Sequence, residues 1–268
     1  MLTVANTTRN LIYHIYPVIN HQRWEWNVSQ LCKRLKCFNG KIIVAIATDP
    51  PEGRKSDPVG GTNPPDAGRI IRGCDTAEKV KAEFNRHWQG KPIQFMEFEN
   101  DPHLREVLTV MPMLSEVLTD DPHNITLYTQ AKGVTRAPGH IAHKWTEVLY
   151  EVMLDYFPLA IEQLNDYPIT GCFKKLGQGW PAYSRSDWHY SGSWYWLRSA
   201  ELLKRDWHRI DQFWSGIEPY PSLHFSSEEA GCLFHEGDKL DMYSGDYWSK
   251  AIDDELAQWR QSNEEYRV

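Results

Sequence analysis

The stretch Lys41–Thr48, KIIVAIAT, decides how the chain is read. Between Ile42 and Ala47 every residue is β-branched or small and none is polar, as expected of a strand covered on both faces. Such a strand belongs in a mostly parallel sheet, and the flanking sequence supplies the helices that sheet needs. Upstream, Leu11–Val18 (LIYHIYPV) is a short apolar run ending at a proline. Trp24–Phe38 then carries apolar residues at helical spacing through Val28, Leu31, Leu35 and Phe38, until Asn39-Gly40 stops it. Downstream, Asp75–Trp88 predicts a helix with Asp75 or Thr76 as N-cap, and Pro92–Phe98 (PIQFMEF) a third strand. Leu104–Leu118 predicts a helix interrupted near Pro112, and Ile125–Tyr128 (ITLY) a fourth strand. Strands alternating with helices predict an α/β fold, a central mostly parallel sheet flanked by helices.

Between the second strand and the next helix, residues 50–74 are dense in proline and glycine and read as a long loop, not a domain boundary. The longest helix is expected to begin near His143 and run to Tyr156, with Pro158 bending or ending it. Beyond it the sequence predicts a strand at Ile169–Lys174, a strong strand at Ser193–Leu197, a helix at Ala200–Trp207, and a charged C-terminal helix from about Tyr247 to Glu265. With no internal repeat, the chain reads as one domain in two lobes, about 11–135 and 136–268.

The 268 residues are 41% hydrophobic, enough for a sizeable core. A net charge of -7 excludes a strongly basic surface over the whole chain and leaves only a local basic groove open. No window resembles a membrane span, and the opening MLTVANTTRN lacks the apolar core of a secretory signal, so the expectation is a soluble, cytoplasmic protein. Its 5 cysteines are scattered without paired spacing and read as reduced core residues; the acceptor tripeptides at Asn6, Asn27 and Asn124 carry no meaning without export. Twelve tryptophans stand out, nine of them at or beyond Trp145. An aromatic-rich core explains them, and so does a carbohydrate site in which ring faces stack on sugars.

Ligands of open α/β sheets sit beyond the carboxyl ends of the strands, which draws attention to Pro17–His21, Thr48-Asp49, Glu99-Asn100-Asp101 and Thr129-Gln130-Ala131-Lys132-Gly133. Polar groups at four strand ends suit a nucleotide, although each alone also suits a solvated loop. The absence of G-x-G-x-x-G and of G-x-x-x-x-G-K-[ST] argues against a dinucleotide dehydrogenase and a P-loop NTPase. In Trp188-His189-Tyr190-Ser191-Gly192-Ser193-Trp194, small residues between aromatics allow backbone to approach a ligand; a buried strand explains Trp194 and Trp196 as well. Downstream, Ser226 or Ser227 is placed to cap a helix whose first turn holds Glu228 and Glu229. One of these carboxylates is alternatively a general base.

Three pieces together, NDPHLRE with LYTQAKGVTR, GCFKKLGQGW through WHYSGSWYWLR, and IEPYPSLHFSSEEAGCLF, resemble glycosyltransferases of the GT-A fold, a Rossmann-like α/β architecture. The likeness is to bacterial and viral polysaccharide-type members and runs from Leu11 to about Trp248. It implies transfer of a hexose from a nucleoside diphosphate sugar, UDP-sugars favoured, to a glycan or other hydroxyl acceptor. By this resemblance Tyr16, Pro17, Thr48, Asp49, Asn100, Asp101, Arg105, Lys132 and Arg136 lie on the nucleotide and diphosphate. Trp188, His189, Tyr190, Ser191 and Gly192 lie on sugar or acceptor, and Glu229, with Glu228 as competitor, is the base. Where typical members carry a metal-holding D-x-D, this chain reads Thr129-Gln130-Ala131-Lys132; Lys132, with Arg136, stands in for the cation, and Glu99 and Asp101 are the weak alternative metal ligands. Two other readings remain: a non-catalytic carbohydrate-binding protein, and an enzyme acting on hydroxymethylated phage DNA through Arg23, Lys33, Arg34 and Lys36 on one helix and Lys174-Lys175 in a loop. Anomeric outcome and oligomeric state are not set by the sequence.

Overall fold

The computed structural model describes residues 1–19, 23–50, 73–177 and 186–268. The expected loop at 50–74 lies almost wholly outside the described residues. The first half follows the predicted alternation: β1 (Thr8–Ile15), α1 (Arg23–Cys32), β2 (Ile42–Thr48), α2 (Ala77–His87), β3 (Gln94–Glu99), α3 (Val107–Val117) and β4 (Asn124–Gln130). Six of the seven residues of β2 are buried, as its unbroken apolar run requires. Thr76 is the N-cap of α2, its hydroxyl accepting from the Lys79 amide. Helix α3 runs on through Pro112, where a break was expected, because the Met113, Leu114 and Val117 turn beyond it is buried against the sheet.

The second half comprises α4 (Ile141–Tyr150), a π-helical turn (Glu151–Asp155), α5 (Phe157–Gln163), β5 (Ile169–Leu176), β6 (Trp188–Tyr190), β7 (Tyr195–Arg198), α6 (Ser199–Leu203), α7 (Tyr220–His224), β8 (Ala230–Gly237), α8 (Gly245–Tyr247) and α9 (Asp253–Ser262). Pro158 opens α5 instead of ending the preceding helix. Bidentate ion pairs clamp the π turn, Arg34 on Asp155 at 2.7 and 2.7 Å and Arg260 on Glu151 at 2.7 and 2.6 Å.

The strand order is β3-β2-β1-β4-β7-β5-β6, with β8 on the other edge of β5. β1 pairs in parallel with β2 and β4, β2 with β3, and β5 with β8, while β7 and β6 run antiparallel to their neighbours. The chain winds outward from β1 to β3, then returns to lay β4 on the other side of β1. Right-handed crossovers therefore put α1 and α2 on one face and α3 on the other. Two apolar layers result: one of Leu11, Tyr13, Val44, Leu127, Val28 and Leu149, the other of Ile12, Ile43, Tyr128, Val110 and Met113. The strand order reverses between β1 and β4, the place at whose carboxyl ends open α/β sheets generally take their ligands.

One sequence expectation is overturned outright. Glu228 and Glu229 do not open a helix: they sit in a turn that feeds β8. Ser226 and Glu229 do make the reciprocal bonds of a capping box, Ser226 N to Glu229 Oε2 at 2.9 Å and Glu229 N to Ser226 Oγ at 3.4 Å, yet the box closes only one turn. The reason is packing: at Gly231 a Cβ would lie 2.9 Å from Gln163 and from Tyr167, so the chain passes as a strand hard against α5 and β5. Likewise Lys174-Lys175 lies in β5 and not in a loop, and the helix expected at Ala200–Trp207 is the single turn α6.

Candidate functional site

Tyr16, Asp49 and Asn100, from the ends of β1, β2 and β3, form one hydrogen-bonded knot. The Tyr16 hydroxyl donates to both Asp49 carboxylate oxygens at 2.8 and 3.0 Å, and Asn100 Nδ2 to Oδ1 at 3.1 Å. Main-chain bonds hold the neighbours: the Asn100 amide donates to the Thr48 carbonyl at 2.7 Å, and that of Asp75 to the Pro17 carbonyl at 2.8 Å. Asp101 accepts from the His103 amide at 2.8 Å and so shapes the turn that enters α3, while Glu99 is exposed.

A second group gathers where β4, α3 and the loop before α7 meet. Lys132, half-buried just past β4, has its ammonium 4.1 Å from the centroid of the Trp145 ring. Its charge reaches His189, whose burial, with Lys175 and Lys132 nearby, pushes its pKa down to about 4. It also reaches Glu218. That carboxylate is only partly exposed, accepts from Ser215 Oγ at 3.2 Å, and is raised above the ordinary range by desolvation and by Glu106, against the opposing pull of Lys132 and Arg105. Arg105 holds a left-handed backbone (φ 49°), and its guanidinium lies 4.9 Å from the centroid of the Trp214 ring. From β1, His14 enters the same space, its Nδ1 2.9 Å from Thr109 Oγ1 and its pKa lowered by burial. The charges of Glu106, Lys132 and Arg105 thus act on Glu218, and that of Glu106 on His14, near the carboxyl ends of β1 and β4.

The ribbon that carries His189 is one strand with a break. β6 and β7 both pair with β5, and residues 191–194 bulge out between them. The bulge docks on β4, Gln130 Nε2 donating to the Gly192 carbonyl at 3.3 Å. A Cβ on Gly192 (φ 100°) would lie 3.0 Å from Leu149 and 3.2 Å from Trp145, so packing against α4 accounts for the glycine, and its α-carbon faces a wall of side chains. His189 and Ser191 adjoin, with Ser191 Oγ 3.5 Å from His189 Nε2. Trp188 and Tyr190 belong to the core: the indole donates to the Phe225 carbonyl at 3.0 Å and the phenol to that of Gly231 at 2.7 Å. Trp196, Trp248 and Trp259 likewise spend their N–H groups on backbone carbonyls. The aromatic richness is therefore largely structural.

Arg136 has its guanidinium 5.2 Å from the centroid of the Tyr243 ring, which packs edge-on at 5.6 Å against Trp145, the ring that Lys132 covers. Glu229 pairs with Arg205 at 2.5 Å, and exposed Glu228 is held below the usual carboxylate range by local hydrogen bonds. Of the basic residues considered for DNA, Arg34 is clamped on Asp155, Arg23 lies 3.4 Å from the Trp26 ring centroid, and Lys174 is buried on the carbonyls of Ser227 and Ala230 at 2.8 Å each. Thr129 and Gln130 do not fit a divalent cation in the place of a D-x-D: the Thr129 hydroxyl is buried, the Gln130 amide is engaged, and Lys132 adds positive charge. A groove of about 480 Å³ beside Trp26 and Tyr150 is lined by the arginine pairs of the π turn, whose charges are already matched.

Glu218 and Glu106 were not singled out from sequence. The available signal was Ile217-Glu218-Pro219-Tyr220-Pro221, an acidic residue locked between apolar and proline neighbours. Among the described residues no helix is long and apolar enough to cross a membrane. The chain matches no protein-family model and no curated protein.

Proposed function

We propose that this chain is a glycosyltransferase of GT-A type that moves a hexose from a nucleoside diphosphate sugar, UDP-sugars favoured, to an acceptor hydroxyl. Glu218 is the observation that carries this reading. It is a half-buried carboxylate made more basic by its surroundings, within reach of the charge of Lys132 at the switch point of the sheet. In the reaction, the bond between the anomeric carbon and the diphosphate oxygen breaks as the acceptor oxygen bonds to that carbon. Glu218 takes the acceptor proton, and Lys132 and Arg105 neutralise the departing diphosphate. Glu218 replaces Glu229 as the base because Glu229 is committed to Arg205 on the surface. The polar knot of Tyr16, Asp49 and Asn100 offers the nucleoside its hydrogen bonds.

The test is incubation of the protein with a panel of nucleotide-sugars, with and without EDTA, reading nucleoside diphosphate release and thermal stability. A donor at 100 times its Kd is expected to add about 2.7 kcal/mol of stability. Glu218→Gln is expected to lose turnover and retain donor binding, and Lys132→Ala to weaken donor binding itself. If no nucleotide-sugar stabilises the chain or is turned over, the reading fails.

A further inference from the structure

The groove beside Trp26 is built from α1, α4, the π turn and α9, and its volume of about 480 Å³ is that of a small-ligand pocket. Its charges cancel: Arg34, Arg260 and Arg267 face Glu147, Glu151 and Asp155. Two of the arginines are spent in the bidentate pairs of the π turn, and Arg267 lies 3.8 Å from Glu264. The walls therefore favour neither an anion nor a cation.

What the walls do offer is hydrogen bonding. Arg260 engages Glu151 through Nε and Nη2, which leaves the N–H groups of Nη1 to other acceptors, and each paired carboxylate oxygen keeps a second lone pair. Gln30 gives its Oε1 to Arg34 Nη1 at 3.2 Å and keeps its amide N–H donors for a ligand. Among these groups the rings of Trp26 and Tyr150 meet edge to face at 5.8 Å, and the Tyr150 hydroxyl is already spent on the Asn27 carbonyl at 2.9 Å. Donors and acceptors interleaved around aromatic surface, at zero net charge, match a molecule with hydroxyls on its edge and C–H groups on its face. The ion pairs hold this pattern rigid before any ligand arrives, so binding costs little ordering, and π turns are frequent at functional sites. We infer that the groove binds a neutral saccharide chain. The site is remote from Lys132: the Leu154 carbonyl of the π turn accepts from Cys37 Sγ at 3.6 Å, and the Cys37 carbonyl from Arg9 Nε at 2.6 Å, at the amino end of β1. It therefore stands independently of the nucleotide-sugar reading above.

The experiment is calorimetric titration of the intact chain with maltohexaose, cellohexaose, mannohexaose and chitohexaose, and with tripolyphosphate. At least one hexasaccharide is expected to bind with a Kd of about 1 mM or tighter, and tripolyphosphate to bind more weakly. Gln30→Ala, at a partly exposed position of α1, is expected to weaken saccharide binding about 5-fold or more with an unchanged unfolding midpoint, and Trp26→Ala about 10-fold or more. Trp26 also packs on the core, so Gln30→Ala decides where Trp26→Ala unfolds. Glu218→Gln is expected to leave saccharide binding within about 2-fold. The inference is overturned if no hexasaccharide binds at about 10 mM, or if tripolyphosphate binds more tightly than all of them. It is equally overturned if binding survives Gln30→Ala and falls in Glu218→Gln, which places the saccharide at the candidate site of transfer. None of these results decides the nucleotide-sugar reading, which stands or falls on its own panel.

Discussion

The Trp145 ring is shared: Lys132 sits 4.1 Å from its centroid, and its Cζ2 edge lies 3.2 Å from where a side chain on Gly192 would begin. One indole from α4 thus ties the cation at the end of β4 to the bulge between β6 and β7. Gly192 also has a φ of 100°, which an L side chain resists. Gly192→Ala is expected to cost about 1–3 kcal/mol, from backbone strain and from pressure on Leu149 and Trp145 together. Denaturant unfolding measures it; a loss within error of zero would show that the bulge is not packed as described.

Glu218→Gln and Glu229→Gln separate the partly buried carboxylate from the one paired at the surface. The first is expected to lower transfer by about 100- to 10,000-fold, the range of a general base. The second removes a surface ion pair with Arg205 and is expected to cost about 1 kcal/mol or less, with turnover unchanged. Steady-state rates beside unfolding midpoints decide, and the reverse pattern would restore Glu229 as the base.

His189 makes the fold acid-sensitive. Burial pushes its pKa in the folded chain down to about 4, below the ordinary imidazole value of 6.5, so folding favours the neutral ring. Stability from this source is intact above pH 6.5 and drains as pH falls toward 4. The loss at pH 4 is on the order of 3 kcal/mol. His143, also lowered to about 4 but less buried, acts in the same direction. His189→Gln is expected to flatten the fall in urea midpoint between pH 7 and 4; an unchanged slope would contradict the burial of the ring.

The thiols are expected to be sluggish. Burial raises Cys32 to about 12, and Cys37, Cys74 and Cys232 to about 11. Since only thiolate attacks a disulfide reagent, release of thionitrobenzoate at pH 8 should be about 100-fold slower in the native protein than in denaturant. A fast native thiol would place at least one cysteine at the surface.

The sheet was readable where the signal is local. The β-branched run of β2, the Thr76 cap and the helical spacing of α1 each report on their immediate neighbours, and the order of elements then constrains the topology. What sequence could not convey depends on distant chain meeting distant chain. Ser226 and Glu229 look like a helix start, and only the pressure of Gln163 and Tyr167 on Gly231 turns the following residues into a strand. Glu218 comes beside α3 because residues 211–217 fold tightly onto its first turn: a Cβ on Gly216 would fall 1.9 Å from the Asp211 carbonyl oxygen and 3.0 Å from Val107. Nothing in the spacing between Glu106 and Glu218 announces that meeting. Trp188 reads as a sugar contact in sequence because indoles serve both purposes, and its hydrogen bond to the Phe225 carbonyl assigns it to the core.

The wide turn at Glu151–Asp155 also governs which changes in chain length this protein tolerates. The π turn holds one residue more than an α turn, so a single deletion there closes it to ordinary winding and leaves α5, with Phe157, Ala160 and Ile161, in its seat, whereas a deletion inside α4 or α5 rotates every side chain beyond it by about 100°. Among lineages of this chain, single-residue length changes should therefore gather at this window and in the surface connections and spare the helices on either side.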